Sequence, residues 1–145
     1  MMAQWERRMM APWERRTRDL WERLIWARDA AGIEIAIAVG VDVNVRLGRR
    51  MTVLHHAATW AKPDLVEILL AAGARIDAEN DLGSPPLLGA VASIDHGATR
   101  LLIEAGAEVN AQNARGVTPL YLAAAWGDKK AVEALLAAGG DPTIA

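Results

Sequence analysis

Glycine returns every 33 residues along this chain, at Gly40, Gly73, Gly106 and Gly139. Gly83 and Gly116 keep the same step, as do the pairs Leu69-Leu70, Leu102-Ile103 and Leu135-Leu136. Asn44, Asp77 and Asn110 keep it too, each followed by Val or Ala. So many positions in one register leave little freedom: the chain is one unit written several times over. A unit this short cannot bury its own apolar face, so successive copies must stack and share a core.

The residues say what the unit is. In the last copy, "VTPLYLAAAWGDKKAVEALLAAGGDPTIA", Thr118 can cap a helix that opens at Pro119, where a missing N–H costs nothing. Leu120, Ala123 and Ala124 give that helix a face of small residues, which allows a neighbour close approach. "WGD" breaks it, and Asp128 can cap a second helix carrying Val132, Leu135 and Leu136 at helical spacing. Gly139 stops the second helix in the left-handed conformation that glycine adopts cheaply. "NDLG" and "NARG" between copies are turn sequences, with Gly83 and Gly116 suited to positive φ. The unit is helix, turn, helix, then an extended excursion into a tight turn.

These motifs resemble the ankyrin repeat. "TVLHHAA" and "TPLYLAA" match its T-P-L-H-x-A-A signature, and "LLAAGA" and "LLIEAGAEVNA" match its second helix and following loop. The resemblance is strong over 47–145 and weak over 19–46. It implies an all-α solenoid of helix-turn-helix units with short β-hairpin turns. The expected divisions are an N-terminal extension at 1–18, a degenerate capping repeat at 19–46, and full repeats at 47–79, 80–112 and 113–145.

Three departures from the pattern carry expectations. Ser84-Pro85-Pro86-Leu87 stands where Thr-Pro-Leu is usual, so the middle copy loses its cap unless Ser84 replaces it. Gly48 is displaced, and Arg50 stands where the turn glycine belongs, which predicts a distorted first hairpin. Gly32 looks like the inter-helix glycine of the degenerate repeat, yet it lies only eight residues before Gly40, where the intact copies leave twelve from Ala61 or Gly127. Either the second helix is shortened by about one turn or Gly32 lies inside a helix of normal length, and the shortened helix is the reading favoured here.

Upstream, "WERRMMAPWERRTRDLWER" places Trp5, Trp13 and Trp21 eight residues apart in a chain with six Trp and no Phe. Pro12 can open a helix in which Trp13, Thr17, Leu20, Trp21 and Leu24 share a face. Such a helix would cover the open end of the stack, Trp inward and Arg and Glu outward. An eight-residue step turns each Trp by about 80°, so the three cannot share one stripe. Trp5 is the one expected to face outward, and Trp5, Met9 and Trp13 are the candidates for self-association. A membrane-surface helix is disfavoured by the acidic residue in each Trp-Glu-Arg unit. At the other end, Ala131, Ala134, Ala137 and Ala138 leave apolar area beside Lys129, Lys130 and Glu133; either the chain is a piece of a longer stack or another molecule covers this face, and self-association is the reading favoured here.

Composition narrows the function. A formal net charge of −2 offers no footprint for nucleic acid. Without cysteine there are no disulfides or thiolate metal sites, which suits a cytoplasmic location. No apolar run approaches the roughly 18 to 20 residues that cross a bilayer. No phosphate-loop, dinucleotide, zinc-protease or nucleophile-elbow motif is present, so neither an enzyme nor a cofactor or metal is expected. His55 and His56, adjacent on a helix, point about 100° apart and make poor partners for one metal. His55 is expected instead to tie neighbouring loops, and His96 to be exposed.

Binding another protein is the class that remains. Family resemblance puts contact positions on hairpin tips and along the exposed side of first helices. Here these are Arg49 and Met51 with Thr59 and Trp60, Leu82 and Ser84 with Ser93, and Arg115 and Val117 with Trp126. Trp60 and Trp126 share one slot two repeats apart, so two Trp anchors flanked by Arg49 and Arg115 are expected, unless the rings lie flat on the adjacent repeat. A self-associating or engineered scaffold joined through the Trp-rich helix is the second reading.

Overall fold

A computed structural model describes residues 3–60, 62–93 and 96–144, with backbone alone for residues 6 and 7. Two rows of helices form the molecule. The first helices are α2 (Pro12–Trp26), α4 (Val53–Thr59), α6 (Pro86–Val91) and α8 (Pro119–Ala125). The second helices are α3 (Ala30–Ala38), α5 (Pro63–Ala71), α7 (His96–Glu104) and α9 (Lys129–Ala137). A short α1 (Gln4–Met9) precedes them. Each first helix packs on its own second helix and on the first helix of the next copy, and the second helices pack in sequence likewise.

The core follows the repeat. Trp21, Leu54, Leu87 and Leu120 hold one slot on the first helices, and Ala36, Leu69, Leu102 and Leu135 one slot on the second; all are buried. Ala57, Ala90 and Ala123 are fully buried between rows, where their small side chains let helices approach. Trp21 fills the leucine slot of the degenerate copy, and its Nε1 donates to the Asp42 carbonyl at 2.8 Å.

The spacing of Asn44, Asp77 and Asn110 now has a cause. Asn44 Nδ2 donates to Gly73 O at 3.0 Å while its Oδ1 accepts from Arg75 N at 2.8 Å. Asn110 repeats the clamp on Gly139 O and Asp141 N. Asp77 has no amide to donate and keeps only the bond from Glu108 N, at 3.0 Å. Each clamp satisfies backbone groups left open after a helix ends.

The degenerate repeat corrects the expected shortened helix. α3 has nine residues, as α5, α7 and α9 do, and starts 33 residues before α5. Arg28 (φ 48°) occupies the inter-helix slot held by Gly127 (φ 69°) in the last copy; Ala61, the slot's next occurrence, lies outside the described residues. Gly32 is inside the helix, where its N–H donates to the capping carboxylate of Asp29. A Cβ there would sit 2.6 Å from Leu24 Cδ2 and 2.5 Å from Asp29 Oδ2. Gly32 lies within a helix, not in a turn, and the ends of the Leu24 and Asp29 side chains occupy the space a Cβ would take.

Nor does the division at residue 18 mark a break, since α2 runs through it. α2 is the first helix of the degenerate copy extended by eight residues at its start. The expected inward face is only partly realised. Trp21 and Ile25 are buried and Leu24 half-buried, but Leu20 is exposed and Trp13 is 67% exposed. The eight-residue step carries Trp13 off the buried stripe.

Hairpin turns join the copies without forming strands among the described residues. Asn80 N donates to Ser84 O and Gly83 N to Asn80 O; Asn113, Val117 and Gly116 repeat the pattern. The first turn keeps both bonds, from Leu47 N to Met51 O and from Arg50 N to Leu47 O. Its distortion lies in the dihedrals: Arg49 and Arg50 both have positive φ, 58° and 56°. Leu47 also lacks the carboxamide with which Asn80 and Asn113 brace their turns. Arg46 substitutes, its Nη1 donating to Arg50 O at 3.2 Å and Glu79 O at 2.8 Å.

Candidate recognition surface

Thr52 and Thr118 cap α4 and α8, accepting from the amides three residues on. In the middle copy Pro85 has no capping side chain, and Ser84 does not replace it; its Oγ accepts from Asn113 Nδ2 at 3.3 Å. Gly89 lets α6 lie close to α4, because a Cβ there would be 2.7 Å from Thr59 Oγ1. These local choices set first helices side by side with their hairpins aligned above.

His55 locks that alignment. Its Nδ1 accepts from Thr52 N at 3.1 Å, which leaves Nε2 to carry the proton and donate to Ser84 O in the next copy at 2.9 Å. Burial pushes its pKa below the usual 6.5; the Ser84 carbonyl opposes this and Arg46 reinforces it. Hairpins also join directly, Asp81 N donating to Arg49 O and Ala114 N to Leu82 O.

The result is a shallow groove of about 340 Å³ beneath the second and third hairpins. Six expected contact residues line it: Met51, Thr59, Leu82, Ser84, Arg115 and Val117. Its floor includes Leu88, Gly89 and Leu122 from α6 and α8. Leu82 is 55% exposed at its rim. Leu88 and Leu122 make its floor apolar, Met51 adds an unbranched apolar side chain, and Arg115 adds one guanidinium to the lining.

Arg49, Trp60, Ser93 and Trp126 lie outside that groove. Ser93 Oγ donates to Ala90 O at 2.6 Å. Trp60 and Trp126 have unlike surroundings despite their shared slot. Trp126 is 63% exposed, whereas Trp60 is half-buried. Arg28 Cζ stands 5.7 Å from the Trp60 ring centre, and the His56 ring lies 6.0 Å away, tilted 45°. The degenerate repeat therefore covers Trp60, and only Trp126 stays open as a paired-anchor reading would require. Of the self-association candidates, Trp5, Met9 and Trp13 are all exposed. Sequence reasoning passed over Trp26, exposed at 87%.

Titratable groups do not gather here into a reactive set. Burial, then His55, lowers the pKa of His56. His96 is not free in solvent: its Nε2 lies 2.7 Å from Asp128 Oδ2. Burial alone would raise Asp128, but the Ala131 amide, His96 and the Lys130 amide outweigh it and lower the carboxyl. Among the described residues no three of His, Asp or Glu come together as a metal ion would need. Among them, too, no helix is long and apolar enough to cross a membrane.

Comparison with known families agrees with the geometry. A family model of ankyrin repeats in three copies matches residues 24–113 and again 54–145. No curated protein matches.

Proposed function

From a chain that belongs to the ankyrin-repeat family, whose members generally mediate protein–protein interaction, we propose a non-catalytic recognition module. It binds a folded protein through its hairpin tips and the exposed side of its first helices. One observation carries this reading: residues scattered from 51 to 117 converge on a single groove with an apolar floor. Leu82, Val117 and Met51 supply contact area, and Arg115 a charge at the rim. Trp126 extends the surface along the α8 end.

The test is hydrogen exchange on the complex with a partner isolated by affinity capture. Protection is expected at 80–84 and 113–117, and the double substitution Leu82→Lys and Val117→Lys should weaken binding more than about tenfold. Protection confined to second helices, with affinity unchanged by that pair, refutes the reading.

A second reading, self-association, rests on Trp5, Met9 and Trp13, each at least 66% exposed near one end of the stack. Light scattering at ~100 µM should then give a mass above the monomer that falls when Trp5 and Trp13 become Ser. A monomeric wild-type chain at that concentration removes it.

A further inference from the structure

The eight-residue extension of α2 lies beside the first hairpin and encloses a second groove of about 660 Å³. Trp13 and Thr17 of α2, with Met10 just before it, form one wall, and Arg46, Arg49 and Arg50 the hairpin wall. Arg18, also on the lining, is paired with Glu22 at 3.3 Å. The three hairpin arginines differ: among the described residues no carboxylate lies within ion-pair distance of them. Arg46 is held by carbonyls alone. Burial lowers its pKa, Arg50 and Arg75 lower it further, and Glu79 acts the other way. Like charges are crowded here around a trench with an exposed indole opposite.

We propose that this groove binds an acidic segment of a partner protein, its carboxylates on Arg49 and Arg50 and a large apolar side chain against Trp13 and Met10. Charge complementarity favours carboxylates that arginine can grip in a bidentate manner. A nucleic acid fits less well. Glu14, Asp42 and Asp81 share the lining and would repel a continuous polyphosphate. Residues 51–145 carry six Lys and Arg against eleven Asp and Glu, repelling a polyanion that extends along the stack. A few carboxylates spaced by neutral residues carry less charge past these acids and incur less of both penalties. This site is formed by the extension and is distinct from the groove beneath the second and third hairpins.

The probe is a random 12-residue peptide library displayed on phage, selected on the full chain and counter-selected on Arg49→Asn/Arg50→Gly. Both replacements tolerate positive φ, so the turn is preserved. Wild-type-dependent clones should be enriched in Asp and Glu beside one large apolar residue. Synthetic copies should lose at least about tenfold in affinity on the double variant or on Trp13→Ser, and weaken steeply with salt. No wild-type-dependent clone, no excess of acidic residues, or unchanged affinity on the double variant overturns the proposal. Tighter binding of a (dT)12 oligonucleotide than of the best peptide overturns it in favour of nucleic acid. Leu82→Lys/Val117→Lys should leave these peptides within about twofold. If that pair abolishes them instead, they occupy the other groove, and the N-terminal site fails while the reading under Proposed function survives.

Discussion

Arg50→Gly should make this protein more stable. Arg50 has φ 56° in the slot where Gly83 (φ 70°) and Gly116 (φ 75°) serve the later hairpins. Left-handed backbone costs a side-chain-bearing L-residue about 1–2 kcal/mol, and glycine none of it. Against this, glycine is freer in the unfolded chain by about 0.5–1 kcal/mol. The difference leaves roughly 0.5–1 kcal/mol in favour of glycine. Relief of Arg46 from a like charge adds to it with the same sign. Arg50 takes part in these hydrogen bonds only through its own backbone, N to Leu47 O and O from Arg46 Nη1, so both survive. Tm should rise by about 2–4 °C, with the urea m-value unchanged. Gly83→Ala is the mirror experiment: its Cβ would stand 3.2 Å from Ala114 N at positive φ, so stability should fall by about 1–2 kcal/mol. A lower Tm for Arg50→Gly, or a neutral Gly83→Ala, refutes the account of the hairpins as strained at this slot.

Other expectations follow from the clamps, the histidines and the tryptophans. Asn110→Ala removes both inter-loop bonds and should cost about 1–3 kcal/mol in urea unfolding, while Asp77→Ala, with one bond to lose, should cost about half as much. His55 and His56 are both held below their ordinary 6.5 in the folded state. The unfolded chain therefore takes up protons first on acidification. Stability should be full above that value and fall as pH drops through it, and His55→Asn should flatten the fall. Trp126→Ala should leave stability within about 0.5 kcal/mol, and Trp60→Ala should cost about 1 kcal/mol or more because its ring packs against Arg28 and His56; equal effects would mean the two rings share one environment after all.

Much of the fold is legible because a repeat states each instruction several times. Leu54, Leu87 and Leu120, or Thr52 and Thr118, confirm one another in any single copy's noise, and helix starts fall where the caps stand. The degenerate copy has no such redundancy. There a glycine search finds Gly32 and assigns it to a turn, whereas the turn is made by Arg28 at positive φ, a residue type that advertises nothing of the kind. Gly32 lies instead inside α3, beside the ends of the Leu24 and Asp29 side chains, a three-dimensional placement with no signature in spacing. Similarly, Trp13 reads as inward from its neighbours on the helical wheel, but it lies in the turns of α2 that extend beyond the stack, where no second helix waits to cover it.

Binding surfaces are harder to read for a related reason. The groove under the later hairpins was partly visible, because its residues occupy repeat positions that a resemblance can carry over. The N-terminal groove is not a repeat feature at all. It exists because a helix stands where an earlier hairpin would be, beside a turn that has exchanged glycine for arginine. In linear sequence the ten Arg of residues 1–50 are diluted by seven Asp and Glu, and no single-sign patch stands out. Folding brings Arg46, Arg49 and Arg50 together with no ion-pair partner among the described residues, while Glu14 and Asp42 on the same lining accept from the Ala11 and Asn44 amides. Two residues in strained backbone and three like charges in one turn run against stability at the same place. A glycine, used twice elsewhere in the same chain, would remove part of both costs. Local choices that contradict the rest of a fold concentrate where something other than stability is at stake, and of the three positive-φ arginines among the described residues two, Arg49 and Arg50, stand on the hairpin that faces Trp13, the third, Arg28, lying against Trp60.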